Sequence, residues 1–100
     1  YKVFFINEEQ GGLFGRAYGI PSTNRSVIVL RPGLTDSTLA HETFHAMGLY
    51  HSFSDNSKFT FEKFKTDNIM DYSDIGPDLI PVISTWQWQW NIIQNNIDKE

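Results

Sequence analysis

The chain has 100 residues, a formal charge of −4 and no cysteine, and these values exclude several classes of protein. A chain of this length forms a single domain (residues 1–100) near the lower limit for a self-sufficient core, so a bound metal ion would help it fold. The lack of cysteine excludes disulfide bonds, thiolate ligands and a cysteine nucleophile, and the 8 basic residues never cluster, which argues against nucleic acid or a membrane surface as partner. Because the chain starts at Tyr1, directly before a strand-like run, we expect it to be a piece processed or excised from a longer protein.

Three extended segments are predicted in the first third of the chain. Residues 2–6 (KVFFI) are β-branched and aromatic and end in a glycine-rich turn. Residues 15–20 (GRAYGI) carry small side chains at alternating positions before Pro21, a pattern suited to a sheet edge that another backbone approaches. Residues 26–33 (SVIVLRPG) form a continuous apolar run, which predicts a central strand buried on both faces.

A helix is predicted over residues 37–47, with Thr35 or Asp36 as its N-cap and Gly48 as its stop signal. The apolar face of this helix is predicted to consist of Leu39, Thr43, Ala46 and Met47.

The remaining chain is predicted to be a loop followed by a closing helix. Residues 52–68 are polar without a sustained period, and the segment FTFEKF within them is either a short strand or a turn. The tail alternates tryptophans as a strand does, but its length and a capping box at Ser84 and Gln87 favour a helix over residues 84–97. Its predicted apolar face is Trp86, Trp90, Ile93 and Ile97.

All three histidines of the chain lie within the stretch HETFHAMGLYH, residues 41–51. His41 and His45 are four apart, so on a helix they project side by side and can reach one ion. Glu42 lies about 100° round the helix from His41, where a base acting on a metal-activated water belongs. His51 can return to the same ion only if the chain turns sharply, and Gly48 can supply that turn. Three neutral imidazoles around Zn²⁺ leave a fourth position open, as in catalytic sites.

This stretch resembles the H-E-x-x-H-x-x-G-x-x-H motif of the metzincin zinc metallopeptidases. The resemblance implies one catalytic Zn²⁺ held by His41, His45 and His51, with Glu42 as general base and Gly48 as the turn residue. It also implies a methionine turn beneath the metal, for which Met70 in DNIMDYSD is the candidate. Tyr72 follows at the offset seen in the astacin and serralysin branches, where the phenol can stabilise an oxyanion; packing within the turn is the alternative role.

The resemblance implies an α+β, zincin-like fold with a small twisted mixed sheet, an active-site helix, a methionine turn and a C-terminal helix. The edge strand would bind an extended peptide substrate, along Ala17, Tyr18, Gly19 and Ile20.

The chain departs from the pattern of the family in several ways. Ser52 after the third histidine is similar to the matrixins, but their short proline-bearing methionine turn is absent, and no early helix is evident, so the chain is either a minimal member or lacks a part that lies upstream.

Several segments also resemble the C-terminal metallopeptidase domains of bacterial polymorphic toxins: STLAHE, HSF, TDNIMDYS and WQWNII. This resemblance implies a secreted or exported zinc endopeptidase, acting as a monomer on a peptide or protein substrate. It also implies an inhibitor or immunity protein as partner.

Two other functions remain open. One is a zinc-stabilised binding module without catalysis, which Glu42 disfavours because a structural site needs no base. The other is a zinc amidase acting on a non-protein amide such as a cell-wall crosslink. A separate group of acidic residues lies in the second half of the chain: Asp67, Asp71, Asp74 and Asp78. This group could bind Ca²⁺ or a basic partner, but the favoured interpretation is a solvated loop.

Overall fold

A three-stranded mixed sheet and one helix lie in the first half of the chain, and a second helix lies near the end of the second half. The structure is a computed structural model that describes residues 2–19, 25–34 and 37–97. The chain divides into two units, residues 1–48 and 49–100. The first unit contains the strands β1 (Lys2–Ile6), β2 (Gly15–Tyr18) and β3 (Ser26–Leu30) and the helix α1 (Thr38–Ala46). The second contains the helix α2 (Gln87–Ile97). The predicted α+β class is confirmed at this level.

The sheet has the strand order β1-β3-β2, so the apolar strand is central, as predicted. β1 runs parallel to β3, with Val3 opposite Val27, and β2 runs antiparallel to it, with Ala17 opposite the same residue. Val27 and Val29, on one face of β3, are each only 1% exposed and pack with Ala46. On the opposite face Leu30 is also 1% exposed, whereas Ile28 is half-buried. β2 pairs with β3 alone among the described strands, which confirms its predicted position at an edge.

Two strands end earlier than predicted. β3 ends at Leu30, and Arg31–Gly33 forms a short 3-10 turn instead of continuing the strand to residue 33. Pro32 explains this end, because its ring fixes φ and it has no N–H for a sheet ladder. β2 ends at Tyr18, and Gly19 follows without regular structure, while Ile20 and Pro21 lie outside the described residues.

Helix α1 confirms the helix predicted over residues 37–47, but its buried face differs from the prediction. Ser37 precedes the helix as its N-cap, and the predicted caps Thr35 and Asp36 lie outside the described residues. Leu39 is 40% exposed, so its predicted place on the apolar face is wrong. The face that is buried contains Thr38, His41 and Ala46, because α1 packs with this side against β2 and β3.

The second unit is mostly irregular before its helix. The predicted loop is confirmed, and FTFEKF forms no strand: its end turns at Phe64, which has a φ of 68°. A single parallel bridge joins Asn68 to Ser84. Among the described residues of this unit, regular structure is otherwise confined to a 3-10 turn at Ser73–Ile75 and to α2.

Helix α2 begins at Gln87, three residues later than the predicted start at residue 84. The predicted capping box is wrong, because the Ser84 hydroxyl instead donates a hydrogen bond of 2.6 Å to Asp67 Oδ1. The predicted apolar face is also partly wrong. Ile93 is buried, but Trp90 and Ile97 are exposed, and the second buried residue of the helix is Gln89.

Four aromatic side chains form a row at the start of α2: Phe59, Phe61, Trp86 and Trp88. Phe61 lies 4.5 Å from Trp86 between ring centroids, and Trp86 lies 6.2 Å from Trp88. Phe59 contacts Trp88 edge-on at 5.6 Å. These rings are partly exposed, so they cover the surface of the second unit more than they fill its core.

Neither helix within the described ranges has the length and apolar character needed to cross a bilayer. They have 9 and 11 residues, whereas a membrane-spanning helix needs about 20.

Candidate metal centre

Helix α1 places two of the three histidines side by side. His41 and His45 lie one helical turn apart, and their rings meet edge to face with centroids 4.8 Å apart. His41 is 6% exposed and His45 is half-buried. The predicted helical pairing of these two side chains is therefore observed.

The turn that leads to the third histidine is formed by Gly48. Its φ of 103° lies where residues with a Cβ are strained, and its N–H donates to the His45 carbonyl oxygen at 2.9 Å. Leu49 is then buried. The glycine therefore ends the helix in the manner that the sequence predicts.

The three histidines lie close enough together to bind one metal ion. Each offers one imidazole nitrogen, and these atoms of His41, His45 and His51 all lie within 4.8 Å of one another. Within residues 2–19, 25–34 and 37–97, this is the one group of three or more histidine, cysteine or carboxylate side chains with such spacing. A set of three imidazoles suits zinc and other first-row transition metals, so the donor chemistry fits the predicted ion without identifying the metal.

Glu42 lies next to His41 on α1 and is half-buried. Burial raises the pKa of its carboxyl to about 7. Its stem passes close to β2: a Cβ built on Gly15 would lie 3.1 Å from Glu42 Cγ and 2.9 Å from Thr38 Cγ2. Because Gly15 has no side chain, α1 and the candidate base Glu42 can lie close to β2. This supporting role of Gly15 is not evident from the sequence.

Gly19, directly after β2, allows a second close approach to α1. A Cβ at this position would lie 2.5 Å from the His45 carbonyl oxygen and 3.1 Å from Ala46 Cα. The backbone that approaches the small residues of this segment is therefore that of α1. Ala17 is half-buried against the core and Tyr18 is exposed, while Ile20, the last predicted substrate contact, lies outside the described residues.

Met70 is fully buried and is hydrogen-bonded to the residue that follows the third histidine. Its carbonyl oxygen accepts a hydrogen bond of 3.0 Å from the Ser52 N–H, and its own N–H donates to Asn68 Oδ1 at 3.0 Å. The structure thus brings the predicted methionine turn next to the backbone of His51, as a buried segment with 0% exposure at Met70.

Tyr72 lies against the third histidine. Its ring centroid is 4.7 Å from that of His51 and 5.5 Å from that of Phe53, which itself stacks on His51 at 4.8 Å. Lys63 Nζ lies 5.6 Å from the centroid of the Tyr72 ring. Tyr72 therefore packs within the turn, against one histidine of the candidate metal-binding group, and its oxyanion role stays a prediction.

Asp71 contradicts the interpretation of the acidic group as a solvated loop, because it is only 1% exposed. Its Oδ1 accepts hydrogen bonds from the N–H groups of Phe64 at 2.9 Å and Tyr72 at 2.7 Å. Its Oδ2 accepts from Thr66 through the hydroxyl at 2.7 Å and the N–H at 3.3 Å. Burial raises the pKa of this carboxyl, but the four hydrogen bonds together outweigh burial and hold the pKa below its usual value.

Two other acidic residues of the group, Asp67 and Asp78, are engaged separately. Asp67 accepts the Ser84 hydroxyl, and Asp78 pairs with Lys65 at 3.0 Å on the surface. They form no cation-binding group within the described residues. Asp67 and Asp78 thus each make a separate contact with another residue of the second unit.

Comparisons with known proteins yield no match to a family model, to a curated protein or to a solved structure. Function therefore has to be inferred from the residues themselves.

Proposed function

We propose that this chain is a zinc-dependent endopeptidase of the metzincin type, with a zincin-like fold. The observation that carries the proposal is the grouping of His41, His45 and His51 within 4.8 Å, with Glu42 beside the first ligand on α1. A structural zinc site usually fills all four positions with protein ligands, whereas three ligands with a neighbouring carboxylate are typical of zinc hydrolases.

The three imidazoles would hold the ion in their neutral form through one nitrogen each. When bound, zinc supplies a Lewis acid that lowers the pKa of a water molecule and polarises a carbonyl group. The protein contributes the position of its own side chains around that centre.

Glu42 is proposed as the general base and acid. It takes the proton of the attacking water and returns it to the amine that leaves the peptide bond. Its half-buried position keeps the carboxylate partly shielded from solvent, and Gly15 leaves room for its stem. Tyr72 is proposed to donate a hydrogen bond to the developing oxyanion, which its position beside His51 supports.

The proposed substrate is an extended peptide that adds to the free edge of β2 near residues 17–20. Strand addition gives affinity through main-chain hydrogen bonds, and β2 has an unpaired edge among the described strands. The exposed Tyr18 would then lie beside the substrate.

The resemblance to polymorphic toxin domains extends this proposal to an exported effector. Such an effector would act as a monomer and would have an immunity protein as its inhibitor. The acidic charge of −4 favours proteins over nucleic acid as its partners.

The proposal is tested with Glu42→Gln, which keeps the size of the side chain and removes its basicity. We expect wild-type protein to bind one zinc ion and to cleave members of a random peptide library. We expect the variant to keep the zinc and to lose cleavage by about 10²- to 10⁴-fold, the usual contribution of a general base.

The matched control is Glu62→Gln, the same substitution at an exposed loop residue, which should cleave like wild type. Equal cleavage by wild type and Glu42→Gln would refute the base assignment. Zinc binding with no peptide cleavage would favour the binding module, and release of amine from a cell-wall crosslink alone would favour the amidase.

A further inference from the structure

We infer that the buried amide pair formed by Asn68 and Gln89 positions His51, the third imidazole of the metal-binding group. This inference rests on the proposed metal-dependent function. It concerns two residues that do not touch the metal-binding nitrogens and lie 21 positions apart in the chain. They are positioning residues, not ligands.

The pair is closed and fully buried. Asn68 Nδ2 donates to Gln89 Oε1 at 2.8 Å, and Gln89 Nε2 donates to Asn68 Oδ1 at 2.8 Å. Both side chains have 0% exposure. Each oxygen accepts a second hydrogen bond, Asn68 Oδ1 from the Met70 N–H at 3.0 Å and Gln89 Oε1 from the Trp86 N–H at 2.9 Å. A buried amide with these partners has one orientation, since rotating it would set like groups against each other.

The pair is connected to His51 by backbone hydrogen bonds. Asn68 holds the N–H of Met70, and the carbonyl oxygen of Met70 holds the N–H of Ser52 at 3.0 Å. Ser52 has 0% exposure and directly follows His51. The peptide group between His51 and Ser52 is therefore positioned by the methionine turn. Gln89, through its bonds to Asn68, fixes that turn relative to α2.

The ring of His51 is constrained from the same segment. Its contact with Tyr72 at 4.7 Å comes from the residue two positions after Met70. Moving residues 68–72 would therefore shift both the backbone and the packing of this ligand. A hydrocarbon pair of equal volume could fill the space, but it would not set the direction of the Met70 N–H.

The test uses two variants of Gln89 and a repair. Gln89→Glu keeps the shape but replaces the NH₂ donor by a carboxylate oxygen facing Asn68 Oδ1. Gln89→Asn shortens the side chain by one methylene and breaks the pair. The double variant Asn68→Gln with Gln89→Asn restores an amide pair of the same total length.

Zinc affinity is measured by competition with a chromophoric chelator, and folding is measured by circular dichroism in excess chelator. We expect both Gln89 variants to fold and to bind zinc about 10- to 100-fold more weakly, as outer-shell changes at metal sites do. We expect the double variant to recover most of the affinity. The visible spectrum of the Co²⁺-loaded protein should lose intensity in the single variants, because loss of one imidazole changes the coordination.

Two controls separate positioning from stability. Gln87→Glu makes the same change at an exposed residue of α2 whose amide bonds only to Asn91 in the described structure, and should bind zinc like wild type. Ile93→Val removes a methyl group from a buried residue of the same helix. It should lower the melting temperature and leave the Co²⁺ spectrum unchanged.

Wild-type zinc affinity and an unchanged Co²⁺ spectrum in the Gln89 variants would overturn the inference while leaving the proposed function intact. Failure of both single variants to fold would also overturn it, because the pair would then serve the unit as a whole. A wild-type protein that binds no zinc would refute the inference and the proposed function together.

Discussion

Asp71 carries a buried negative charge within the loop that runs from Phe64 to Tyr72. Its four hydrogen-bond donors belong to three residues, two on one side of it in the chain and one on the other. A carboxylate that accepts several such bonds is stabilised in its charged form. This side chain therefore maintains the shape of the loop, including the positive φ of Phe64.

We expect Asp71→Asn to lower the free energy of unfolding by about 1–3 kcal/mol at pH 7, since an amide cannot accept all four bonds and the loss leaves buried donors unsatisfied. The pH dependence follows from the lowered pKa. The unfolded state binds the proton first as pH falls, so the stabilisation by Asp71 is complete above its usual pKa of 3.8 and is lost below it.

Chemical denaturation of wild type and Asp71→Asn between pH 7 and pH 2.5 measures this effect. The difference between the two proteins should be constant down to about pH 5 and then shrink. A difference that grows as pH falls would contradict the assigned direction of the pKa shift.

Tyr72 offers a second prediction at this scale. We expect Tyr72→Phe to keep its packing against His51 and to lower kcat by about 10²- to 10³-fold, the usual effect of removing one oxyanion donor. Steady-state cleavage assays measure the change, with Tyr50→Phe at an exposed position as control. An unchanged kcat would assign Tyr72 to packing alone.

Individual residues differ in how well the sequence predicts them. The positions of His41, His45 and Gly48 depend on helix geometry and on one backbone preference, which are local properties, and the structure agrees with them. The burial of Asp71 is not predictable from the sequence, because its hydrogen-bond donors belong to a loop whose path the sequence does not specify. Gln89 is polar and flanked by tryptophans, so no pattern marked it as buried.

At the scale of elements, α1 approaches β2 and the residue after it closely, because glycine takes the place of a side chain at two positions. Gly15 faces Thr38 and Glu42, and Gly19 faces the backbone at His45. A carbonyl oxygen cannot move away without moving its helix. The distance between strand and helix, and with it the place of one predicted ligand, thus depends on these small residues.

We expect Gly19→Ala to destabilise the protein by about 1–3 kcal/mol, the usual cost of overpacking, and to weaken zinc binding by displacing His45. Denaturation in chelator and zinc competition measure the two effects separately. Gly12→Ala is the control: it has a φ of 79° but nothing within 4 Å of its added Cβ. It should reduce stability through backbone strain and leave zinc affinity unchanged, and equal effects of both variants on affinity would contradict this explanation.

The types of the elements were predictable, whereas their ends and buried faces were less so. β3 stands out by its apolar run and α1 by its period and its glycine. The start of α2 was not predictable, because Ser84 has a competing partner in Asp67, 17 residues earlier. The exposure of Leu39 on α1 is not predictable either, since hydrophobicity indicates which residues can be buried but not which side of the helix meets the sheet.

At the scale of the whole molecule, a chain of 100 residues has a small core, so we expect a metal ion bound at the histidine group to contribute much of its stability. A ligand that binds only the folded state stabilises it by about 2.7 kcal/mol when its concentration is 100 times the dissociation constant. The three candidate ligands come from a stretch of eleven residues, so a bound ion would also fix the turn at Gly48.

We expect the melting temperature to rise with added zinc and to fall in chelator. His51→Ala should remove most of this dependence, since two imidazoles bind zinc more weakly than three. Calorimetry at several zinc concentrations measures the shift, and a melting temperature indifferent to chelator would contradict it.

Long-range pairs such as Asn68 with Gln89 cannot be predicted from sequence patterns, because they depend on how distant segments of the chain meet.

The aromatic row that begins α2 has an optical consequence. All three tryptophans of the chain lie within residues 86–90, so its tryptophan fluorescence comes from one short region around Gln89. Trp86 and Trp88, 6.2 Å apart, are close enough for exciton coupling in the near ultraviolet. Emission therefore reports the environment of this helix end, whereas far-ultraviolet dichroism reports helices and strands in both units, and comparing the two unfolding curves shows whether the chain unfolds in one step.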